Sequence, residues 1–513
     1  MSPNTVTHTE LVEDIGTYNT SAMQLVSDSH RAEFGQYMTP PGIAQFMASM
    51  FSSFEGKNQV RLLDAGAGAG ILTAAVISRL LKSSTDIQCI ESHAYEVDPA
   101  ILNFLRKTIA RCSELVGDRD VKFCSSIRTE DFICSGVKLL QKYTFAGLPK
   151  DQQFSHIILN PPYKKIRSNS KHRLYLRDVH VETTNLYTAF LAVAIKLLAP
   201  GGELVAITPR SFCNGVYFKP FRELLTDSVA VRRIHIFDRR DKVFGQDDVL
   251  QENIIFHCIK GGDPGDVTIS VSDGADVSSI RSKKYPYAKI IKPDDADIVI
   301  HIPTNNAHQK AETVISSLPC TLEDLSLQVS TGPVVDFRLK EHLRHDPESG
   351  TVPLIYPTHF NSYSIKWPIC NGKKPNAIVN NAATQKWLMP NGHYTFVRRF
   401  SSKEEKRRVV AVYYNPDNYQ VDSIGIENHI NVFHSKKNGL TESIARGLMI
   451  YLNSILVDTY FRQFSGHTQV NASDLRMLKY PSIEVLKRLG ILAKEYATLN
   501  QKIIDSIIER ELL

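Results

Sequence analysis

The pattern of hydrophobic and polar residues is regular in the first half of the chain and irregular after about residue 260. From about residue 40 to residue 260, short apolar runs alternate with longer segments whose apolar residues recur at helical spacing. The strand-like runs are Val60–Ala65, Ala94–Val97, His156–Leu159, Glu203–Ile207, Ile234–Phe237 and Asn253–Cys258, and the helical segments include Ile71–Lys82, Pro99–Arg111 and Leu186–Leu198. Strands that alternate with helices of about 10–15 residues are typical of βαβ units. The pattern therefore predicts an α/β fold with a doubly wound, mostly parallel sheet.

The alternation ends in a stretch rich in glycine and proline, KGGDPGD, which we interpret as a domain boundary. Beyond it the pattern becomes irregular and rich in Tyr, His and Asn, which predicts a mixed α+β domain. Ser482 then precedes apolar residues at helical spacing from Leu489 to Ile507, which predicts one terminal helix. We therefore expect an N-terminal extension (1–32), an α/β domain (33–262), a second domain (263–481) and a C-terminal helix (482–513).

Composition and charge narrow the class of protein. The 513 residues are too many for one core, and they are 42% hydrophobic with a net charge of +6. Eight cysteines are scattered without a C-x-x-C pair, which argues against a disulfide framework or a structural metal site and indicates a reducing compartment. The chain starts with a polar, acidic segment unlike a signal peptide, and no uncharged apolar run reaches the roughly 18 residues of a membrane span. We expect a cytoplasmic protein with no membrane partner.

A glycine-rich loop follows the first predicted strand in VRLLDAGAGAGILTAAV. Gly66, Gly68 and Gly70 alternate with alanines, and such glycines let the backbone turn sharply and let a ligand approach closely. Asp64 adds negative charge where a phosphate would otherwise bind, which favours a cofactor that carries a cation, such as S-adenosylmethionine. A flexible Gly/Ala loop without a ligand is the alternative.

Acidic residues follow at two further positions. Glu96 lies at the tip of the second predicted strand, where a carboxylate can bind both ribose hydroxyls, and Glu91 is also available for that role. In RTEDFICSG, Asp131 can accept a hydrogen bond from an adenine amine and Phe132 can cover the adenine ring. Glu130 is adjacent, so a shift of one residue stays open.

The strand His156–Leu159 ends in Asn160-Pro161-Pro162-Tyr163, which cannot continue it because proline lacks an amide donor and fixes φ. Ligand chemistry is typically placed at the carboxyl ends of parallel strands. The Asn160 side-chain carbonyl and the Pro161 backbone carbonyl can accept both N–H bonds of an exocyclic amine and so free its lone pair. Tyr163 offers a flat face on which a base can stack. An N-P-P turn before a solvated basic loop is the alternative.

Taken in order, Thr-Pro, D-A-G-A-G-A-G, E-V-D-P, D-F and N-P-P-Y resemble the gamma class of adenine-N6 DNA methyltransferases of type II restriction–modification systems. The resemblance covers about residues 33–260 by motif. It implies a prokaryotic or phage-encoded enzyme that methylates an adenine flipped out of duplex DNA, uses S-adenosylmethionine and no metal, and carries a target-recognition domain after the catalytic one. Because the sequence contains no clear nuclease pattern of spaced carboxylates with a Lys, any cognate endonuclease is expected on a separate chain.

The resemblance also assigns roles to residues. Thr39, which the sequence alone predicts to cap the helix after Pro40, becomes a cofactor ligand. The residues expected to bind the cofactor are Thr39, Asp64, Gly66, Gly68, Glu96, Asp131, Phe132 and Asn160. The residues expected to act in catalysis are Asn160, Pro161, Pro162, Tyr163 and Phe244, with Phe244 packing against the flipped base opposite Tyr163.

A basic run, KKIRSNSKHRLYLR, follows Tyr163 and contains no acidic residue. In isolation such a run is often a solvated loop, but beside a base-flipping pocket it favours contacts with DNA phosphates. The candidate DNA-binding residues are Lys164, Lys165, Arg167, Lys171 and Arg173 in this run, with Arg398 and Arg399 in the second domain.

Other functions compete with this interpretation. A protein glutamine methyltransferase also uses N-P-P-Y, because an amide nitrogen has the same delocalised lone pair, but such enzymes lack a long C-terminal region. An RNA adenine methyltransferase, or an enzyme that methylates the exocyclic amine of cytosine, would use the same two acceptors. A non-catalytic DNA-specificity subunit would not need Asp64, the glycines and the intact N-P-P-Y together.

Overall fold

The computed structural model describes residues 8–25, 27, 38–52, 54–83, 86–167, 169–237, 252–274, 276–401, 405–465 and 468–513. The chain divides into two compact units, and the boundary along the sequence lies between Thr304 and Asn305. None of the helices in these described ranges has the length and apolarity needed to span a bilayer.

The first unit is built on nine strands. They are β1 (Gln59–Ala65), β2 (Cys89–Tyr95), β3 (Lys122–Arg128), β4 (Phe154–Leu159), β5 (Leu198–Pro209), β6 (Val229–Phe237), β7 (Asn253–Lys260), β8 (Val267–Asp273) and β9 (Asp276–Tyr285). Its helices are α1 (His8–Leu25), α2 (Pro41–Ser49), α3 (Ile71–Ser83), α4 (Pro99–Gly117), α5 (Phe132–Lys142), α6 (Lys171–Arg177), α7 (Leu186–Leu197), α8 (Lys219–Ser228) and α9 (Tyr287–Ile290).

All nine strands form one sheet in the order β3-β2-β1-β4-β5-β7-β6-β8-β9. Strands β1 to β5 pair in parallel, whereas β7 runs antiparallel to both β5 and β6. The chain order reverses between β1 and β4, which creates a crevice at the carboxyl ends of these two strands. This confirms the predicted doubly wound, mostly parallel sheet and its antiparallel edge.

The two faces of this sheet carry separate hydrophobic cores. Along β4, Ile157 and Leu159 pack on one side with the almost fully buried helix α7, whereas Ile158 packs on the other with α1, α2 and α3. Because successive strand residues point to opposite faces, a strand buried on both sides must be continuously apolar. This explains why the central strands were readily predicted.

The predicted domain boundary at residue 262 requires a correction. Strands β8 and β9 follow the glycine- and proline-rich stretch and extend the same sheet through parallel pairing of β8 with β6. The stretch KGGDPGD is therefore a connection within the first unit, whose boundary lies at Thr304. Glycine and proline mark turns between strands as strongly as they mark linkers, so composition alone did not distinguish the two.

The second unit is mixed α+β, as predicted. Its strands are β10 (Gln328–Thr331), β11 (Leu343–Arg344), β12 (Thr351–Ile355), β13 (Phe360–Asn361), β14 (Ser364–Ile365), β15 (Ala377–Val379), β16 (Leu388–Pro390), β17 (Tyr394–Arg398), β18 (Ala411–Tyr414), β19 (Ser423–Ile426) and β20 (Ile430–His434). They form a six-stranded sheet, β10-β20-β17-β18-β14-β13, and a five-stranded sheet, β11-β15-β12-β19-β16. Its helices are α10 (Asn306–Ser317), α11 (Glu442–Leu452), α12 (Ile455–Phe461), α13 (Ala472–Arg476), α14 (Ile483–Lys494) and α15 (Gln501–Leu512).

The end of the chain forms two helices rather than the single one predicted. Ser482 does cap the first of them, since its hydroxyl accepts a hydrogen bond from the Val485 amide at 3.4 Å. The helix stops at Lys494, and Asn500 caps a new one by accepting from the Ile503 amide at 3.0 Å. The apolar spacing continues across this break, which is why it predicted one helix.

Candidate active site

The candidate site lies at the carboxyl edge of the large sheet. Ala65 at the end of β1 pairs with Tyr95 at the end of β2, and Asp64 pairs with Ile158 near the end of β4. The loops that follow these three strands therefore leave the sheet side by side. They carry the glycines, Glu96 and Asn160, so the structure brings the main predicted motifs to one edge.

The glycine loop has a backbone conformation that other residues rarely adopt. Gly66 and Gly68 have φ angles of +80° and +56°, in the left-handed region that favours glycine. The amides of Gly66 and Ala67 both donate to the Tyr95 carbonyl, at 3.0 and 2.8 Å, which anchors the loop to β2. A Cβ atom on Gly68 would lie 3.3 Å from the Met38 sulfur. The loop thus needs glycine for its backbone conformation, and a side chain on Gly68 would also make a tight contact with Met38.

Asp64 is a fully buried carboxylate beside this loop. Its Oδ2 accepts from the Thr73 hydroxyl at 2.7 Å and from the Thr73 amide at 3.2 Å, whereas its buried Oδ1 has no hydrogen-bond partner among the residues that the structure describes. Burial raises the pKa of Asp64 to about 7, against the lowering effect of Thr73. A buried carboxylate with an unsatisfied oxygen can stabilise a positively charged ligand.

Glu96 is also buried, directly after β2. Its two carboxylate oxygens accept from the Gly68 and Asp98 amides, each at 2.8 Å, and burial raises the pKa of Glu96. Each oxygen has a second lone pair, so the carboxylate can still accept hydrogen bonds from hydroxyl groups. The alternative Glu91 lies inside β2 and pairs with Arg61 at 3.4 Å. Glu96 is the carboxylate at the strand end.

Asn160 links the N-P-P-Y motif to the segment before α2. Its Nδ2 donates to the Thr39 hydroxyl oxygen at 3.0 Å, and its Oδ1 accepts from the Tyr163 hydroxyl at 3.0 Å. Thr39 is not the predicted helix cap, because the N-cap position of α2 is Pro40 and no side chain caps this helix. The Thr39 hydroxyl bonds instead to a residue 121 positions away. The structure therefore joins Thr39, Asn160 and Tyr163 in one group.

Two sets of aromatic side chains lie near the strand ends, one around Tyr163 and one around Phe132. The Tyr163 ring lies edge-on to Tyr187, with centroids 6.4 Å apart, and the Tyr187 hydroxyl pairs with the Ser211 hydroxyl at 2.8 Å. Phe132 is buried between Tyr95 and Phe190, with both centroid distances at 5.2 Å. Phe244, expected opposite Tyr163, lies outside the described residues.

Asp131 has two hydrogen-bond partners. It caps α5 by accepting from the Cys134 amide at 2.8 Å, and its other oxygen accepts from His172 Nε2 at 2.8 Å. Although burial opposes ionisation, the hydrogen bond from His172 contributes to lowering the pKa of Asp131, and the same bond raises the pKa of His172. The Cys134 sulfur lies close by, so one ligand atom from each side chain falls within 4.8 Å of the others. Hydrogen bonding accounts for this grouping. His172 was not among the predicted site residues, because in the sequence it is one of several cationic or polar residues of the basic run.

The basic run is partly neutralised within the protein. Lys164, Lys165, Arg167 and Lys171 are exposed. Arg173 pairs with Glu182 at 3.1 Å, although no acidic residue occurs in the run itself. Exposure is the property that phosphate contacts require, and Lys164, Lys165, Arg167 and Lys171 have it.

The two arginines predicted to contact DNA in the second unit also have protein partners. Arg398 pairs with Glu405, and Arg399 donates to the Asn428 carbonyl oxygen at 2.7 Å. Burial lowers the pKa of Arg399. These contacts hold both side chains in place within the second unit.

The first unit combines a doubly wound, mostly parallel sheet with a glycine loop at the end of one central strand, and a second, mixed α+β unit follows it. Among solved structures, the type IIL restriction-modification enzyme MmeI in complex with DNA shares the fold, with a TM-score of 0.57 at 10% identity, over 97% of this chain and 78% of that one. The family model Eco57I restriction-modification methylase matches residues 96–244, which include N-P-P-Y.

Two relatives match nearly the whole chain and identify its family more closely. The chain is 46% identical to the type II methyltransferase M.BsuBI of Bacillus subtilis, over 98% of this chain and 99% of that protein. It is 42% identical to the type II methyltransferase M.PstI of Providencia stuartii, over 96% and 95%. The chain therefore belongs to the type II methyltransferases of restriction–modification systems, which confirms the family expected from its motifs.

Proposed function

We propose that this protein is a site-specific DNA methyltransferase that transfers a methyl group from S-adenosylmethionine to N6 of an adenine flipped out of duplex DNA. The observation that supports this most directly is the hydrogen-bonded group of Thr39, Asn160 and Tyr163, on the sheet edge that also carries the glycine loop. This group holds an amide carbonyl on a strand end stiffened by two prolines, as an acceptor for an amine must be held.

The side chains along the edge fit S-adenosylmethionine. The unpaired, buried Oδ1 of Asp64 suits the cationic part of the cofactor, and the remaining lone pairs of Glu96 suit the ribose hydroxyls. Asp131 would accept from the adenine amine, Phe132 would contact the adenine ring, and Thr39, Gly66, Gly68 and Asn160 would contact the cofactor from the same edge of the sheet. When bound, the cofactor supplies a methyl group already activated by a positively charged sulfur.

The residues of N-P-P-Y would act on the target amine. Asn160 Oδ1 and the Pro161 carbonyl would accept its two N–H bonds, drawing the nitrogen toward tetrahedral geometry and exposing its lone pair. Pro162 keeps the backbone in place, so little reorganisation is needed. The Tyr163 hydroxyl now donates to Asn160 Oδ1, and a target amine would replace this donor.

Tyr163 and Phe244 would hold the flipped base between two aromatic rings. Stacking of a base on an aromatic side chain contributes roughly 1–3 kcal/mol, which is comparable to the few kcal/mol that extruding a base costs. The exposed Lys164, Lys165, Arg167 and Lys171 would bind phosphates beside the extruded nucleotide, and Arg173 would do so after release from Glu182.

We further propose that the second unit recognises the target sequence, with Arg398 and Arg399 among its DNA contacts, and that a separate endonuclease in the bacterial cytoplasm cleaves the unmodified site. The similarity to type II methyltransferases, 46% and 42% identity over nearly the whole chain, argues against a protein glutamine methyltransferase and an RNA methyltransferase. The presence of Asp64, the glycine loop and the complete N-P-P-Y motif argues against a DNA-specificity subunit that lacks catalytic activity.

The proposal is tested by transfer of a tritiated methyl group to unmethylated genomic DNA, followed by single-molecule sequencing for the modified base. We expect N6-methyladenine within one short sequence. Asn160→Ala should abolish transfer while the Kd for the cofactor changes by less than about threefold, because one of several cofactor contacts is lost. Asn103→Ala, on the exposed face of α4, is the matched control. Methylcytosine in the product, or turnover by Asn160→Ala, would contradict the proposal.

A further inference from the structure

Helix α6 of the basic run is attached to the cofactor side of the site. At its first turn His172 Nε2 donates to Asp131 Oδ2 at 2.8 Å, and just beyond its last turn Asp178 Oδ2 accepts from Gln141 Nε2 at 3.1 Å. Asp131 and Gln141 belong to the two ends of α5, and Leu176 of α6 is buried in the same hydrophobic core as Phe132 and Val137 of α5. The basic helix is thus docked along α5 rather than free in solvent.

Of these two hydrogen bonds, only the one between His172 and Asp131 involves a residue proposed to bind the cofactor. Asp131 is the residue proposed to accept from the adenine amine of the cofactor, whereas Gln141 and Asp178 are exposed side chains far along the helices. Lys171 immediately precedes His172, and Arg167 lies shortly before it. One hydrogen bond therefore joins the residue proposed for the cofactor to the segment proposed for DNA phosphates.

We infer that His172 is a positioning residue that couples cofactor binding to DNA binding. This inference rests on the proposed function. A carboxylate only accepts hydrogen bonds, so the Cys134 amide and His172 Nε2 fix both the rotation of Asp131 and the direction of its remaining lone pairs. A cofactor amine that bonds to Asp131 holds it in this rotamer, which strengthens the His172 contact and keeps α6 docked. Docked α6 presents its cations in one arrangement.

Linkage makes the effect reciprocal: the factor by which the cofactor tightens DNA binding must equal the factor by which DNA tightens cofactor binding. The two side chains are 31% and 37% exposed, so the contribution of their contact is that of a partly screened pair. We therefore expect a coupling factor of about fivefold in the wild-type protein.

The test measures the Kd of a labelled duplex that the wild-type protein methylates, with and without saturating S-adenosylhomocysteine. His172→Ala should reduce the coupling factor from about fivefold to below about twofold. His172→Gln should retain most of it, because the Gln amide can reach the position of Nε2 and still donate to Asp131. His180→Asn is the matched control, since His180 is exposed beyond α6 and has a φ of +56° that Asn tolerates. EDTA is present throughout, so that a metal ion cannot bridge Asp131, Cys134 and His172.

A second readout follows α6 directly. S-adenosylhomocysteine should slow hydrogen exchange in the peptide that contains Lys171–Arg177 in the wild-type protein and in His172→Gln, but not in His172→Ala. Unchanged coupling in His172→Ala, or a wild-type protein that binds both ligands independently, would overturn the inference. A wild-type protein that binds no S-adenosylhomocysteine would instead contradict the proposed function, which keeps the two failures distinct.

Discussion

Replacement of Asp64 by Asn should stabilise the cofactor-free protein in a way that depends on pH. The pKa of Asp64 is raised from 3.8 to about 7, so the folded state retains a proton that the unfolded state has lost. The stabilising contribution of this proton is fully present below pH 3.8 and is lost as pH rises to about 7. Each pKa unit corresponds to about 1.36 kcal/mol, so ionised Asp64 destabilises the folded state by about 4 kcal/mol above pH 7.

The diagnostic quantity is the difference between two pH values. Near pH 5.5 the unfolded state is ionised and the folded state is not, and the same arithmetic gives a cost of about 2 kcal/mol. A buried Asn has its own desolvation cost, but that cost does not depend on pH. The advantage of Asp64→Asn over the wild-type protein should therefore grow by about 2 kcal/mol between about pH 5.5 and pH 8.5.

Hydrogen exchange of the β1 amides measures this difference, because central strand amides exchange through opening of the surrounding unit. At each pH the variant is compared with the wild-type protein, so intrinsic exchange rates cancel, and the ratio of the rates should change by about 30-fold between the two pH values. Asp151→Asn removes an exposed carboxylate of the same unit and should show no such change. An equal advantage at both pH values would refute the assignment of the buried proton to Asp64.

Three further predictions follow from other parts of the chain. S-adenosylmethionine should bind about tenfold more weakly for each pH unit below 7, as Asp64 takes up its proton, and calorimetry should find this dependence absent in Asp64→Asn. Although burial opposes it, hydrogen bonds from His257 and the Ser52 amide lower the pKa of Glu203 to about 2; that contribution to stability exists above about pH 4.5 and is lost toward pH 2. Glu203→Gln should therefore unfold at a higher pH when acid unfolding is followed by circular dichroism. Gly447→Ala would place a Cβ 1.9 Å from the Leu486 carbonyl oxygen and should destabilise the second unit by about 2–3 kcal/mol, seen in the fluorescence of Trp367 and Trp387, whereas Gly117→Ala, with open space around it, should be neutral.

The central strands and the site motifs were predictable because local chemistry determines them. A strand buried on both faces must be apolar throughout, a left-handed loop requires glycine, and two prolines stop a strand wherever they occur. Strand β3 was missed for the opposite reason. It lies at the edge of the sheet, its residues are mostly half-exposed or exposed, and its sequence KFCSSIR has no continuous apolar run.

Long-range partners account for the other differences. Thr39 has the sequence context of a helix cap, yet its hydroxyl accepts from Asn160, which only the fold brings near. Arg173 is part of a run without acidic residues, yet the return of the chain after α6 supplies Glu182. Neither partner is visible in the local sequence. The same holds for His172, whose role depends on α6 docking beside the capping residue of α5.

Asp64 and Glu96 carry an electrostatic cost at the sheet edge that a bound cofactor would reduce. Both carboxyl groups are buried, both have raised pKa values, and the charge of Glu96 contributes to raising the pKa of Asp64. Burial penalises the ionised form of both groups, and the hydrogen bonds from Thr73 to Asp64 and from the Gly68 and Asp98 amides to Glu96 offset only part of that cost. A cationic centre beside Asp64 would compensate its charge, hydroxyl groups would bond to Glu96, and any ligand that binds only the folded state stabilises it further by mass action. The residues that make this edge unfavourable when empty are therefore the ones that would make it selective for S-adenosylmethionine over an anionic nucleotide.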